Sequence, residues 1–218
     1  MSKTITAAQA AEYVKDGMTV MVGGFMVNGT PEVICNAIAA QGTKNLTVIA
    51  NDGGFPGRGV GALITAGCVK KLIVSHIGLN PDAGAGMKDG SIDVDLVPQG
   101  TLAERIRAGG AGLGGVLTPT GVGTDVAIGK EIITIDGKEF LLEKPLKADV
   151  ALIGASRIDE DGSIFYAGTT RNFNPMMATA ADVVIAGAPA VEPIGALKGE
   201  EIVTPGIFVD YIVVGGEA

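Results

Sequence analysis

Short apolar runs alternate along the chain with amphipathic stretches, and this alternation predicts buried strands separated by helices. The predicted strands are Thr19–Val22, Leu46–Ala50, Lys71–Ser75, Asp93–Val97, Val150–Gly154, Ser163–Tyr166, Val183–Ala186 and Phe208–Val214. The predicted helices are Ala7–Lys15, Pro31–Ala40, Gly59–Ala66, Leu102–Ala108 and a short one from Pro175 to Ala181, capped by Asn174. Strands that alternate with helices form parallel sheets, so the pattern predicts an α/β fold with a mostly parallel sheet flanked by helices.

The middle of the chain departs from this alternation. Gly109–Gly123 is a long, glycine-rich stretch for which we predict irregular structure. Glu131–Ile135 and Glu139–Glu143 are joined by Asp136-Gly137, the pair that favours a two-residue hairpin turn. We therefore expect an added β-hairpin region within a single domain that spans residues 1–218, with no internal repeat.

Composition and charge narrow the class of ligand. The chain of 218 residues is 47% hydrophobic and contains 34 glycines, as expected for buried strands joined by many tight turns. Its net charge of −8, without a dense Lys/Arg run, argues against nucleic acid as a partner. Small molecules or proteins are the expected partners, and an anionic ligand stays possible where backbone N–H groups form the site.

The two cysteines and the start of the chain indicate the compartment. Cys35 and Cys68 have neither a C-x-x-C spacing nor nearby histidines, so we expect buried thiols and no zinc or dithiol redox site. Met1–Gln9 lacks the pattern of a secretory signal, and no apolar stretch approaches the ~20 residues that span a membrane. These features predict a cytoplasmic protein that does not associate with a membrane.

A glycine turn follows the first long predicted strand. Gly23-Gly24-Phe25 leads to Thr30-Pro31-Glu32, in which Thr30 is predicted to cap a helix that starts at Pro31. A strand, turn and helix in this order can present backbone N–H groups to an anion, although many such turns only reverse the chain. The G-x-G-x-x-G and Gly-Lys-Ser/Thr patterns are missing here, which disfavours ordinary NAD or ATP binding.

The longer stretch Asp16–Pro31 resembles the signature of class I coenzyme A-transferases. This signature consists of Asp-Gly, three apolar residues, Gly-Gly-Phe, a three-residue spacer and Gly-x-Pro. The resemblance continues through nearly the whole chain and is to the alpha subunit of the 3-oxoacid, acetate and butyrate–acetoacetate CoA-transferases. Its further segments are Val97–Gly110, Thr118–Gly121, Thr170–Pro175 and Thr204–Asp210.

The resemblance implies a CoA-transferase / sugar-phosphate isomerase-like fold and a place in short-chain fatty acid or ketone body metabolism. It implies CoA as a substrate, with no permanently bound cofactor or metal. In this family the nucleophile is a glutamate of a Ser-Glu-Asn-Gly type motif in the beta subunit, and no Glu-Asn-Gly occurs in this chain. We therefore expect a beta subunit, in an α2β2 heterotetramer, to supply the glutamate. The expected CoA contacts are Gly24, Phe25, Met26, Val27, Asn28, Gly29 and Thr30.

Three further residues carry specific expectations. Gln99 follows a predicted strand, and its amide is a candidate donor to an oxyanion, or else a polar residue that closes the strand. Glu104 lies three residues after Thr101, the spacing of a capping box, so we expect it to be structural. His76, the only histidine, fits a structural or rim position better than a general base.

Asn172-Phe173-Asn174-Pro175 fits an acyl pocket, a subunit contact or simply a helix cap formed by Asn174. Arg171 suits an anionic group of the substrate and an interface ion pair equally. The roles of Arg171, Asn172 and His76 stay open, as does the choice of acid and acyl-CoA. A non-catalytic sensor domain is the alternative function, while a sugar-phosphate isomerase lacks its acid–base constellation.

Overall fold

The computed structural model describes residues 2–215, which form fourteen strands and six α-helices. The strands are β1 (Thr4–Ile5), β2 (Thr19–Val22), β3 (Leu46–Ala50), β4 (Val69–Val74), β5 (Asp93–Leu96), β6 (Val116–Thr118), β7 (Ile132–Ile135), β8 (Lys138–Glu143), β9 (Ala148–Gly154), β10 (Arg157–Asp159), β11 (Ile164–Phe165), β12 (Ala181–Ala188), β13 (Val191–Glu192) and β14 (Tyr211–Val214). The helices are α1 (Ala7–Ala11), α2 (Glu32–Gln41), α3 (Val60–Thr65), α4 (Pro81–Asp89), α5 (Gln99–Gly110) and α6 (Asn174–Met177).

Eight strands form one sheet in the order β1-β14-β12-β9-β2-β3-β4-β5, and each neighbouring pair is parallel. Both faces of this sheet are covered. Val20 and Val22 of β2 belong to the core on the side of α1 to α4, whereas Met21 belongs to the core on the side of α5 and α6. Burial on both faces explains the continuously apolar strands and confirms the predicted α/β fold with a mostly parallel sheet.

Two small sheets add to this framework. The predicted hairpin is confirmed as β7 and β8, with Asp136 and Gly137 at φ 50° and 77° in the turn between them. Strand β6 pairs with β8, so the predicted irregular stretch contains a strand. The third sheet has the order β11-β10-β13.

Two helix starts overturn a predicted capping role. Helix α2 begins at Glu32, and Pro31 rather than Thr30 occupies the capping position, without a side-chain hydrogen bond. Helix α5 begins at Gln99, which places Thr101 inside its first turn. Thr101 cannot then cap the helix, and its buried hydroxyl oxygen has no hydrogen-bond partner among residues 2–215. The expected capping box with Glu104 is therefore wrong.

Helix α4 was absent from the predicted elements, although its start signal is present in the sequence. The Asn80 side chain accepts hydrogen bonds from the backbone N–H groups of Asp82 and Ala83, and Pro81 occupies the first turn. Gly84 and Gly86 weaken the helical pattern, which explains why periodicity did not reveal the helix.

Candidate functional site

Four parallel strands deliver polar or glycine-rich segments to one edge of the large sheet. Strand β2 leads into Gly23–Thr30, β3 into Asn51-Asp52, β4 into Ser75-His76, and β5 into Val97–Gln99. Ligands of open α/β sheets bind outside the carboxyl ends of the strands, so this edge is the expected location of the site.

The Gly23–Thr30 segment forms a tight turn with strained central residues. Phe25 and Asn28 exchange two backbone hydrogen bonds, of 3.0 and 2.9 Å. Met26 and Val27 lie between them at φ 50° and 70°. Two positive φ values are typical of a type I′ turn, which normally selects Asn-Gly, and a branched residue such as valine is an outlier there. Something outside the turn must therefore hold it.

Two asparagines and one aspartate provide that support. Asn172 accepts a hydrogen bond from the Gly24 N–H and donates one to the Asn28 carbonyl, both at 3.0 Å. Asn174 donates to the Gly29 carbonyl at 3.0 Å, and Asp52 accepts from the Met26 N–H at 2.9 Å. The turn is thus fixed at its entry, tip and exit by residues from other parts of the chain.

Asn174 is not the helix cap that the sequence predicted. It is the first residue of α6 and is fully buried, with its oxygen accepting from the Gly154 N–H at 3.1 Å. A Cβ atom on Gly23 would lie 1.7 Å from that oxygen. The asparagine therefore joins the glycine turn to β9, and its partners are far away in sequence, which explains why local spacing suggested a cap.

Few backbone donors of the turn are left for a ligand. The N–H groups of Gly23, Gly24, Phe25, Met26, Asn28 and Thr30 all donate within the protein. Among residues 2–215, only Val27 and Gly29 of this segment have N–H groups without a hydrogen-bond partner. Thr30 and the carboxylate of Asp52 fill the space behind the turn. The predicted row of bare N–H groups is thus reduced to two donors.

A second Gly-Gly-Phe turn follows β3. Gly53-Gly54-Phe55 leads to a backbone bridge between Phe55 and Arg58, and Gly54 and Gly59 have positive φ as Gly24 and Gly29 do. The expectation of no internal repeat misses this pair of turns. Asp52 links them, because one carboxylate oxygen accepts from Met26 and the other from the Gly54 N–H at 2.7 Å.

A largely apolar cleft of about 370 Å³ opens beside the first turn. Its lining consists of aromatic, amide, hydroxyl and thioether side chains, contributed by Phe25, Asn51, Gln99, Thr169, Asn172, Phe173 and Met176. Gln99 donates from its amide nitrogen to the Asn51 side-chain oxygen at 3.0 Å. An amide nitrogen carries two N–H groups, so Gln99 retains one donor beyond this bond.

The other candidate residues lie outside this lining. His76 is 3.5 Å from the Ser75 hydroxyl through Nδ1, and its ring centroid is 6.1 Å from that of Phe25. Glu104 pairs with Arg107 through hydrogen bonds of 2.9 and 2.8 Å on the surface of α5. Arg171 is exposed at the end of a 3₁₀ turn, Gly168–Arg171.

The thiols are poor candidates for chemistry. Both cysteines are free and buried. Burial raises the pKa of Cys35 to about 12, and the charge of Glu32 adds to the rise. Burial also raises the pKa of Cys68, against the opposing charge of Lys44. Both groups stay protonated near neutral pH, where a thiol is a weak nucleophile.

Comparison with known proteins identifies the family. The profile described as Coenzyme A transferase matches residues 4–215. The chain is 51% identical to the acetate CoA-transferase subunit alpha of Escherichia coli K12, covering 100% of this chain and 99% of that subunit. It is also 51% identical to the acetoacetyl-CoA:acetate/butyrate CoA transferase alpha subunit of Clostridium acetobutylicum, covering 97% of each.

Solved structures show the same fold. Glutaconate coenzyme A-transferase from Acidaminococcus fermentans superimposes with a TM-score of 0.87 at 20% identity, over 98% of this chain and 76% of that chain. An acyl-CoA transferase from E. coli O157:H7, in a thioester complex with CoA, gives 0.83 at 22% identity over 98% of this chain. This chain spans about half, 47%, of that transferase.

No helix within residues 2–215 is long and apolar enough to cross a membrane. The relatives are transferase subunits, so the alternative of a non-catalytic sensor domain is not favoured. CoA-transferases use CoA as a substrate, in agreement with the predicted chemistry. The profile match over nearly the whole chain and the two relatives at 51% identity show that this protein belongs to the coenzyme A transferase family, as an enzyme subunit of the alpha type.

Proposed function

We propose that this chain supplies one half of a CoA-transferase active site and that a beta subunit supplies the nucleophilic glutamate. The composition of the cleft carries the proposal: among the described residues that line it, none is a carboxylate. Transfer through a glutamyl thioester requires one. The 218 residues act in this proposal as one domain of an α2β2 heterotetramer.

In this scheme the partner carboxylate attacks the thioester carbonyl carbon, the C–S bond breaks, and CoA leaves as a thiolate, so that the acyl group and the glutamate form a mixed anhydride. The thiolate then attacks the glutamyl carbonyl, releases the first acid and forms the enzyme–CoA thioester. The acceptor acid repeats these steps in reverse. Each attack places negative charge on a carbonyl oxygen, and the free N–H of Gln99 is the proposed donor to it.

The Gly24–Thr30 turn is the proposed contact for CoA itself. Met26 and Asn28 are exposed at its tip, and the half-buried Val27 offers a remaining backbone donor, whereas Gly29 is buried. A single donor suits one oxygen acceptor, such as a pantetheine carbonyl or one phosphate oxygen, better than it suits a whole phosphate group. The acyl chain then lies against Phe25, Phe173 and Met176, whose apolar surfaces fit a short-chain acyl group.

The division of labour is tested by assaying the chain alone and with its co-purifying subunit, using acetate, butyrate, acetoacetate and succinate as acceptors. We expect no transfer by the chain alone and transfer by the pair. Borohydride or hydroxylamine trapping in the presence of acyl-CoA should mark a glutamate of the partner. Transfer by the chain alone, or a label on this chain, contradicts the proposal. Light scattering of the pair gives its stoichiometry.

The role of Gln99 is tested by Gln99→Ala in the paired enzyme. Loss of one oxyanion donor typically lowers kcat by about 10²-fold. Gln41→Ala is the matched control, because the Gln41 amide bonds Val14 and Thr43 at the far end of α2. An unchanged kcat for Gln99→Ala assigns that residue to closing the strand.

A cytoplasmic location is also part of the proposal. Both cysteines are unpaired thiols, as is usual for proteins of reducing compartments. Fractionation of the native cells with an antibody against the chain tests this assignment, and recovery outside the cytoplasm contradicts it.

A further inference from the structure

We propose that Asn172 is a positioning residue: its side chain holds the Met26–Val27 turn in a strained conformation that the turn needs in order to receive CoA. The inference rests on the proposed contact between this turn and CoA. It adds a role for a residue whose own position in the sequence suggests only a pocket wall or a subunit contact.

The backbone of the Met26–Val27 turn is strained. Met26 and Val27 both adopt positive φ, at 50° and 70°. Residues other than glycine rarely adopt this backbone conformation, and β-branched residues adopt it least of all. The second turn reverses the chain at the corresponding place with Pro56-Gly57, where only Gly57 has positive φ, at 72°. The chain can therefore close the same backbone bridge with an unstrained type of turn, and at Met26–Val27 it does not.

The Asn172 side chain bonds both ends of the turn. It accepts a hydrogen bond from the Gly24 N–H and donates one to the Asn28 carbonyl, each at 3.0 Å. The carbonyls of Thr169 and Thr170, at 3.0 and 3.1 Å from the same amide nitrogen, share its other N–H group. The turn is thereby tied to the 3₁₀ segment Gly168–Arg171, of which Thr169 lines the cleft.

The backbone of Asn172 is strained as well. Its φ and ψ, 21° and −120°, lie outside the regions that residues other than glycine prefer. Such outliers persist where surrounding contacts over-determine them, and they concentrate at functional sites. Asn172 also lines the cleft next to Phe25 and Gln99. Strain on both sides of one pair of hydrogen bonds, beside the cleft, is the observation that points to positioning.

The expected consequence of losing this side chain is relaxation of the turn. Without the bonds to Gly24 and Asn28, Met26 and Val27 return to negative φ. The free N–H group of Val27 then changes direction. Misplacement of a binding group by about 1 Å costs up to about 10²-fold in rate, so the effect should appear in the kinetics with acyl-CoA.

The test is a double-mutant comparison in the paired enzyme. Asn172→Ala should lower kcat/KM for acyl-CoA about 100-fold in the wild-type background. In a Val27→Gly background, where positive φ carries little strain, the same change should lower it less than about tenfold. A residue that contacts the substrate directly gives the same factor in both backgrounds, and that result overturns the proposal. So does an Asn172→Ala enzyme with unchanged kcat/KM.

Asn45→Ala is the matched control. Asn45 is also an asparagine at positive φ, 59°, but it is exposed and precedes β3 at the opposite edge of the sheet. We expect the thermal midpoint of the Asn45→Ala variant to fall, while its kcat/KM for acyl-CoA stays within about twofold of the wild type, because Asn45 touches no cleft residue. An equal kinetic loss in both variants assigns the effect to general stability and overturns the role of Asn172.

Hydrogen–deuterium exchange of the chain separates this inference from the proposed function. Asn172→Ala should accelerate exchange at residues 24–30 and leave the strands unchanged. If the wild-type pair transfers no CoA to any tested acid, the proposed function fails. Faster exchange at residues 24–30 in Asn172→Ala still shows that Asn172 holds the turn. If exchange at residues 24–30 is unchanged, the positioning role fails even where transfer is observed.

Discussion

The two Gly-Gly-Phe turns are closed by the same kind of backbone bridge, but they differ in turn type and in their source of stability. In the second turn, Pro56-Gly57 supplies the residues that a type II turn prefers, so its sequence alone favours its shape. In the first turn, Met26-Val27 opposes its shape, and Asn172, Asn174 and Asp52 hold it from outside. The strained turn borders the apolar cleft, and the relaxed one packs behind it.

Each turn also has a buried asparagine that precedes a proline. Asn174 donates to the Gly29 carbonyl, and Asn80 donates to the Gly53 carbonyl at 2.7 Å. Asn80 additionally caps α4, whereas Asn174 bonds Gly154 of β9. One turn is therefore supported by its own neighbourhood and the other by distant segments. Substitutions at matched positions can separate the two cases.

The largest contrast is expected between Gly23→Ala and Gly53→Ala. A Cβ on Gly23 would lie 1.7 Å from the Asn174 oxygen and displace it, whereas a Cβ on Gly53 has its nearest neighbour at 3.5 Å. We expect Gly23→Ala to lower the free energy of unfolding by about 4 kcal/mol and Gly53→Ala by less than about 1 kcal/mol. Urea denaturation measures both, and equal losses contradict the contrast.

Removing the two asparagines should give a smaller difference. Asn174→Ala leaves the Gly29 carbonyl and the Gly154 N–H without their buried partner, for a loss of about 3 kcal/mol. Asn80→Ala loses one carbonyl bond and a helix cap, for about 2 kcal/mol. Chemical denaturation of both variants tests the order, and a greater loss at Asn80 reverses the assignment of the two supports.

Exchanging the strain between the turns has a still smaller effect. Gly57→Ala places a Cβ in open space at φ 72°, so only the backbone opposes it, by about 1 kcal/mol. Val27→Gly relieves a similar strain but adds chain entropy to the unfolded state, and we expect a net change within about 0.5 kcal/mol. Thermal unfolding compares the two. If Val27→Gly costs as much as Gly57→Ala, the first turn is not strained.

The cysteines that follow the turns should differ in reactivity without any change in stability. Cys35 lies in α2, after the first turn, and burial raises its pKa to about 12. Cys68 lies after α3, and Lys44 opposes the rise of its pKa. As pH rises from 7, the Cys68 thiolate therefore forms first, and iodoacetamide should modify Cys68 faster. Mass spectrometry of the peptides measures both rates, and faster modification of Cys35 contradicts the expectation.

Patterns local in sequence predicted most of the framework. Apolar runs located β2, β3 and β9 because strands of a covered parallel sheet are apolar throughout, and Asp136-Gly137 located the hairpin because few other pairs accept two positive φ values. The Gly23-Gly24-Phe25 turn was also predicted from a local pattern. The same three residues recur at Gly53-Gly54-Phe55, although no internal repeat was predicted.

Residues whose partners are remote could not be predicted from spacing. The spacing of Thr101 and Glu104 matched a capping box, but α5 starts earlier, at Gln99, and Glu104 bonds Arg107 instead. Asn172 bonds Gly24, 148 residues away in sequence, and one sequence contains no signal for such a contact. The supports of the candidate site were therefore invisible until the turn, the 3₁₀ segment and α6 were placed together.

The strand order also determines how the protein can assemble as it is synthesised. Strands β2 to β5 each lie beside the next one in sequence, so this half of the sheet can pair while the chain is still emerging from the ribosome. Strand β1 precedes β2 to β5 in the chain, but within the described residues its only sheet partner is β14, through Thr4 opposite Ile212 and Ile5 opposite Val213. Strand β1 is consequently translated before this half of the sheet and pairs only after it.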